Sequence, residues 1–217
     1  MGYEKNYSCL PSPRQAALLK QLGKDMIELN FMRIIPDSEL NPRQEKTLQR
    51  YSSQVVDGFD EKVLGELLEI ERVSFPENMQ SDEQDMRELL ADPQTLTVIV
   101  RDENQGTQGY VCGVPSKESY RYLKEFDSEF TPQEHTMYME SIAFKPEHRG
   151  LEGLLEGTGT FFQAAKSRGF DRLSMHARVS NKLSEVLQKR YGAKFKRRME
   201  NWHGFEEPFD YLEMEIS

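Results

Sequence analysis

Apolar residues recur along this chain at two different spacings, and the switches between them mark out its elements. Between Pro13 and about Ile35, the residues Leu19, Leu22, Met26 and Leu29 follow one another at three and four places. That spacing predicts an amphipathic helix, which Pro36 closes. The polar stretch Pro36–Pro42 reads as a connector, and a second, weaker helical piece follows near Gln44–Tyr51. After Tyr51, Gln54–Val56 reads as a short strand, and Val63, Leu64, Leu67 and Leu68 mark a helix ending before Phe75-Pro76. Ser81, with Gln84 three places on, is placed to cap another helix whose apolar face is Met86, Leu89 and Leu90.

The pattern then becomes strand-like. Leu96–Val100 and Gln108–Val114 read as a hairpin, and Met137–Phe144 as a strong strand. The acidic, aromatic insertion Tyr120–Thr131 between them shows no period that assigns it. A helix over Leu154–Arg168, a strand over Arg172–Ala177, a helix over Asn181–Tyr191 and two closing strands, Lys194–Met199 and Asp210–Ile216, complete the order. Strands interleaved with helices in this way predict an α/β fold with a mixed sheet covered on both faces. The chain divides into a helical N-terminal extension, residues 1–50, and one domain over residues 51–217.

Composition narrows the function classes. A formal net charge of -9 over 217 residues argues against nucleic acid or an anionic membrane as partner, since both need a positive field. The one basic run, Lys194–Arg198, alternates as a solvated strand would. Two cysteines, Cys9 and Cys112, are too few for a disulfide framework, and no Cys/His spacing suggests a metal site. No apolar run reaches the ~18 residues of a membrane span, and no signal-peptide core is visible near the start. The expectation is a soluble cytoplasmic protein without a metal.

Four segments, in order, resemble the GNAT N-acetyltransferase superfamily. Ile70-Glu71-Arg72-Val73-Ser74-Phe75-Pro76 is similar to a first-helix signature of bacterial members, and Gly109–Gly113 to their third strand. Met139-Glu140-Ser141-Ile142-Ala143-Phe144-Lys145-Pro146-Glu147-His148-Arg149-Gly150 resembles the fourth strand and the opening of the acyl-CoA motif. Asn181, followed eleven residues later by Gly192, matches the ending of the pattern. The likeness spans roughly Val55 to Ile216.

The resemblance implies a GNAT-like acyltransferase fold and transfer of an acyl group from acetyl-CoA, or another acyl-CoA, to an amine-bearing small molecule or peptide. It places Ile142, Ala143 and Phe144 along the pantetheine arm by their backbone, Arg149, Gly150 and Gly153 at the pyrophosphate loop, and Asn181 at the carrier or as a helix cap. Glu140 is the candidate base, or else an outward-facing strand carboxylate. His176 is a second candidate base, since an imidazole takes a proton near neutral pH, or else a hydrogen-bonded strand residue. Tyr191 is the candidate acid, or a packing residue before Gly192.

Three positions depart from the family pattern. Counting from Arg149 puts Glu152 and Leu154 where the loop glycines belong, and Gln188 where relatives carry the acid Tyr. A carboxylate beside a pyrophosphate is repulsive by about 1–4 kcal/mol near a surface. A GNAT-fold binding or regulatory module that does not use acyl-CoA is therefore the second reading. The insertion Tyr120–Thr131, with Tyr122, Glu125, Phe126, Asp127, Glu129 and Phe130, is expected to wall the acceptor side, or else to form a surface helix with a buried aromatic face. The N-terminal helix is expected to close over the cleft or form a homodimer.

Overall fold

Local signals account for most element boundaries in the computed structural model, which describes residues 50–202 and 207–216. The expected N-terminal helix and connector lie outside the described residues, as does all but the end of the second helical piece. The first described element is a strand. In chain order the elements are β1 (Tyr51–Val55), α1 (Glu61–Ser74), a 3-10 turn (Glu77–Met79), α2 (Glu83–Ala91), β2 (Leu96–Asp102) and β3 (Thr107–Pro115). There follow α3 (Ser116–Phe126), β4 (Thr136–Phe144), a 3-10 turn (Pro146–His148), α4 (Leu151–Ser167), β5 (Arg172–Arg178), α5 (Leu183–Tyr191), β6 (Lys194–Met199) and β7 (Phe209–Glu215).

Asp60 caps α1 by accepting from the N–H groups of Lys62 and Val63. The cap of α2 is Asp82, which accepts from Asp85 N–H, and not Ser81 as the sequence suggests. The Ser81 N–H is instead taken by the Glu71 carboxylate at 2.7 Å, which moves the helix start one residue on. Gly192, at φ 68°, ends α5 in the left-handed conformation glycine tolerates. The unassigned insertion supplies α3 in its first half.

The strands form one mixed sheet in the order β1-β2-β3-β4-β5-β7-β6. All pairs are antiparallel except β4 with β5. On one face α4 and α5 bury Phe161, Phe162, Ala165, Leu187 and Tyr191 against Val98, Val111, Met137, Met175 and Leu212. On the other, α1 and α2 cover Ile99, Tyr110, Cys112 and Ala143. Beside them Leu123 of α3, Phe130 and Trp202 cover Tyr138, Phe209 and Tyr211. At roughly 25 cal/mol per Å² of apolar surface, burying these side chains on both faces is the main driving term.

Two irregularities in this sheet position the site. The parallel pairing of β4 and β5 covers only Thr136–Tyr138 against Arg172–Ser174, although both strands run on, so they splay apart beyond that point. The β3–β4 register steps from Cys112 opposite Ser141 to Gly113 opposite Met139, which leaves Glu140 as the extra residue of a β-bulge.

Candidate active site

The splay exposes backbone of β4. Lys145 N–H bonds Gln108 O of β3 at 2.9 Å, and antiparallel alternation then turns Ala143 toward β3 and Ile142 and Phe144 toward the gap. Ala143, expected along the carrier arm, thus has its backbone committed to Tyr110 of β3. The Phe144 carbonyl in the gap is also engaged, accepting from Ser74 Oγ at 2.9 Å and Arg149 Nε at 3.2 Å. What the gap offers are both polar groups of Ile142 and the N–H of Phe144.

Glu140 sits in the bulge beside the apex of the splay. Tyr122 of α3 donates its hydroxyl hydrogen to the carboxylate. Burial raises the Glu140 pKa to about 7, so the group exchanges its proton near neutrality. The residue as a whole is half-buried.

His176 of β5 is enclosed, its side chain 1% exposed. Nδ1 lies 2.8 Å from the Tyr138 hydroxyl and Nε2 lies 3.2 Å from Asp127 Oδ2. Its ring stacks on Trp202 with centroids 3.8 Å apart. Asp127, the residue that ends α3, also receives Arg197 of β6. Burial alone would raise the Asp127 carboxyl, but the hydrogen bonds from His176 and Arg197 outweigh it and hold the pKa at about 2. With both ring nitrogens engaged, His176 holds Tyr138 and α3 in place.

Around the start of α4 the chain builds an anion-facing end. Gly150 precedes α4 in extended backbone and makes no side-chain cap bond, so first-turn N–H groups keep their donors. A side chain at Gly150 would meet nothing within 4 Å, whereas a Cβ at Gly153 would stand 3.0 Å from the Phe144 ring. Gly153 therefore permits the close approach of α4 to the end of β4. Arg149 bonds Ser74 O as well as Phe144 O, tying α1 to β4, and its guanidinium is occupied by protein. Glu152 lies in the first turn of α4, half-buried.

Other expected positions are committed to packing. The Tyr191 hydroxyl lies 2.6 Å from Thr158 Oγ1, and its ring meets Phe162 edge-on within the core under α4. Burial raises its pKa to about 12, so it releases a proton only reluctantly. Gln188 donates to Ser184 Oγ at 3.0 Å. Asn181 accepts the Leu183 N–H at 2.9 Å in the turn that leads into α5, one residue before the cap position, Lys182.

No family model matches the sequence, and no curated protein is similar to it at the sequence level. Solved structures are similar in three dimensions. NAA60 of Arabidopsis thaliana in complex with acetyl-CoA matches with a TM-score of 0.58 at 14% identity, covering 76% of this chain and 98% of that one. The ribosomal-protein-S18-alanine N-acetyltransferase of Escherichia coli matches at 0.56 and 13% identity, over 76% and 94%. The spermidine/spermine N-acetyltransferase SpeG of Vibrio cholerae matches at 0.55 and 12% identity, over 79% and 95%.

The chain has the GNAT N-acetyltransferase fold. Within that fold the structure brings together Glu140, Ile142 and Phe144 at the splay, and Gly150 and Gly153 at the start of α4. Tyr191 faces the core, Asn181 holds the first N–H of α5, and His176 belongs to a buried cluster. The sequence reading missed Tyr138, which bonds His176 across 38 positions, and Ser141 and Tyr110, linked across 31. A Tyr two residues before a candidate base on the same strand was the signal available for Tyr138.

Proposed function

We propose that the protein is an N-acyltransferase that moves an acyl group, in the simplest case acetyl, from a CoA thioester to an amine. The observation that carries this is the splayed β4–β5 pair with a bulged carboxyl of pKa about 7 at its apex. The exposed strand groups of Ile142 and Phe144 suit an amide-bearing pantetheine arm, and the uncapped first turn of α4 suits a pyrophosphate. Glu140 takes a proton from the incoming ammonium, directly or through one water, and frees the nitrogen lone pair. The nitrogen bonds to the thioester carbonyl carbon, a β4 N–H stabilises the developing oxyanion, and the C–S bond breaks; the second proton, shed by the nitrogen as it becomes an amide, passes through water to the departing thiolate. Tyr122 keeps the Glu140 carboxyl aimed into the cleft.

Amines of small molecules and peptides both fit this scheme, and structural neighbours named for spermidine and for a ribosomal-protein alanine span that range. The test is mass-spectrometric detection of acetylated product when the full chain is incubated with acetyl-CoA and spermidine, kanamycin or a peptide with a free N-terminal alanine. Product that needs Glu140 supports the reading, and no product from any of them contradicts it.

Glu152, and Gln188 where the family pattern has its Tyr, favour a second reading, a GNAT-fold binding module that does not use acyl-CoA. Its distinguishing result is stable folding with no affinity for CoA.

A further inference from the structure

One buried carboxyl is left unused by this mechanism. Glu71 of α1 is 2% exposed, and among the described residues it makes no ion pair. An isolated buried carboxylate is costly, so its hydrogen bonds matter. Its Oε2 accepts Ser81 N–H at 2.7 Å and its Oε1 accepts the Tyr110 hydroxyl at 2.5 Å. Burial raises the Glu71 pKa, while the Ser81 N–H, the Tyr110 hydroxyl and the Ser81 side chain counter part of that rise by favouring the charged form. The Tyr110 oxygen lies in turn 3.1 Å from Ser141 Oγ. Ser141 follows Glu140 in β4 and is half-buried, so the chain of hydrogen bonds ends at a residue that keeps accessible surface next to the proposed base.

Proton counting gives this chain a direction. A phenol has one hydrogen, and Tyr110 gives it to Glu71. Its oxygen can then only accept from Ser141, which spends its own single hydrogen on that bond. Lone pairs alone remain on Ser141 to face the cleft. Glu140 beside it is likewise an acceptor once ionised.

We infer that Glu71, acting through Tyr110, fixes Ser141 as a hydrogen-bond acceptor for the acyl acceptor, and that the site thereby selects a primary amine over an alcohol. An ammonium directs one N–H to Glu140 and a second to Ser141, whereas a hydroxyl has one hydrogen for two acceptors. Ser141 is the specificity-determining residue and Glu71 the positioning residue. This inference rests on the acyltransferase reading given above.

The test compares the full chain with Glu71→Gln, Ser141→Ala and the double variant, using acetyl-CoA with spermidine, kanamycin and the N-terminal alanine peptide. The Glu71→Gln substitution keeps the size of the side chain; the new amide oxygen accepts from Ser81 and the amide NH2 donates to Tyr110. The Tyr110 hydrogen then turns to Ser141, and the Ser141 hydrogen turns to the cleft. Each single variant raises the KM for the amine about ten-fold, with the Kd for acetyl-CoA unchanged. The double variant is no worse than Ser141→Ala, because Glu71 acts only through Ser141. An unchanged amine KM in Glu71→Gln, or an effect of that substitution that persists in the Ser141→Ala background, overturns the inference. Neutron diffraction from deuterated wild-type crystals reads the direction without turnover. Deuterium on Ser141 directed at Tyr110 supports the inference, and deuterium directed into the cleft overturns it. A wild-type chain that acetylates none of the three amines contradicts the acyltransferase reading instead, and diffraction still decides the direction of the chain.

Discussion

The carboxyl of Glu140 loses hydration where the β4 bulge turns it toward α3, and burial brings its pKa to about 7. As the base it must be ionised, so kcat/KM rises with pH through about 7 and levels off above. Glu140→Gln lowers kcat/KM by about 100-fold or more and removes that rise, which a pH series of transfer rates checks. The same group leaves a mark on stability. Its folded pKa lies above the unfolded value near 4.3, so its contribution to stability declines as pH climbs from about 4 to about 7. Thermal melts of Glu140→Gln therefore gain on the wild type between those pH values. Asp127 behaves in the opposite sense, because its folded pKa of about 2 lies below its ordinary value. The stability it confers is present above about pH 4 and is lost as pH falls through 2. Asp127→Asn, which weakens the links to Arg197 and His176, costs about 2–4 kcal/mol at neutral pH, measured by urea unfolding. Glu140 and His176 were legible in the sequence as candidates because strand periodicity and family spacing place them. Their states were not, since Tyr122, Tyr138, Asp127 and Trp202 reach them from remote positions.

At the scale of elements, α4 and β3 carry the tightest constraints. A Cβ at Gly109 would stand 2.2 Å from the Phe144 ring and 2.7 Å from the Ala143 carbonyl. Gly109→Ala therefore forces β3 from β4 beside the splay and costs about 2–3 kcal/mol, read as a lowered urea midpoint with an unchanged m-value. Glu152 sets the first turn of α4 against an incoming phosphate. Glu152→Gln removes that charge and tightens CoA binding several-fold by calorimetry, against a loss of about 0.3–1 kcal/mol of helix stabilisation. Periodicity placed most described helices and strands within a few residues. It failed for α3, where Leu123 is the one apolar residue buried and the aromatics Tyr120, Tyr122 and Phe126 stay exposed. It also placed the α2 cap one residue early, because a side chain from α1 competes for the Ser81 N–H.

In the whole molecule, the sheet order and the splay arise from pairings between distant segments. β7 inserts between β5 and β6, and β4 meets β5 through only a short parallel ladder. No local spacing encodes either feature; the family resemblance supplied the expectation of the fold, and the register supplied the geometry. The one basic run, in β6, is engaged by carboxylates, Lys196 with Glu213, Arg197 with Asp127 and Arg198 with Asp210. Among the described residues no helix is long and apolar enough to cross a membrane. What the molecule presents is a cleft between diverging strands, with an uncapped helix start at one end and a proton-exchanging carboxyl at the apex. Calorimetric titration of the full chain with CoA and acetyl-CoA near neutral pH tests the use of that cleft most directly. The account predicts saturable, micromolar binding of both that tightens in Glu152→Gln; a folded chain that gives no heat with either ligand, in wild type or variant, contradicts it.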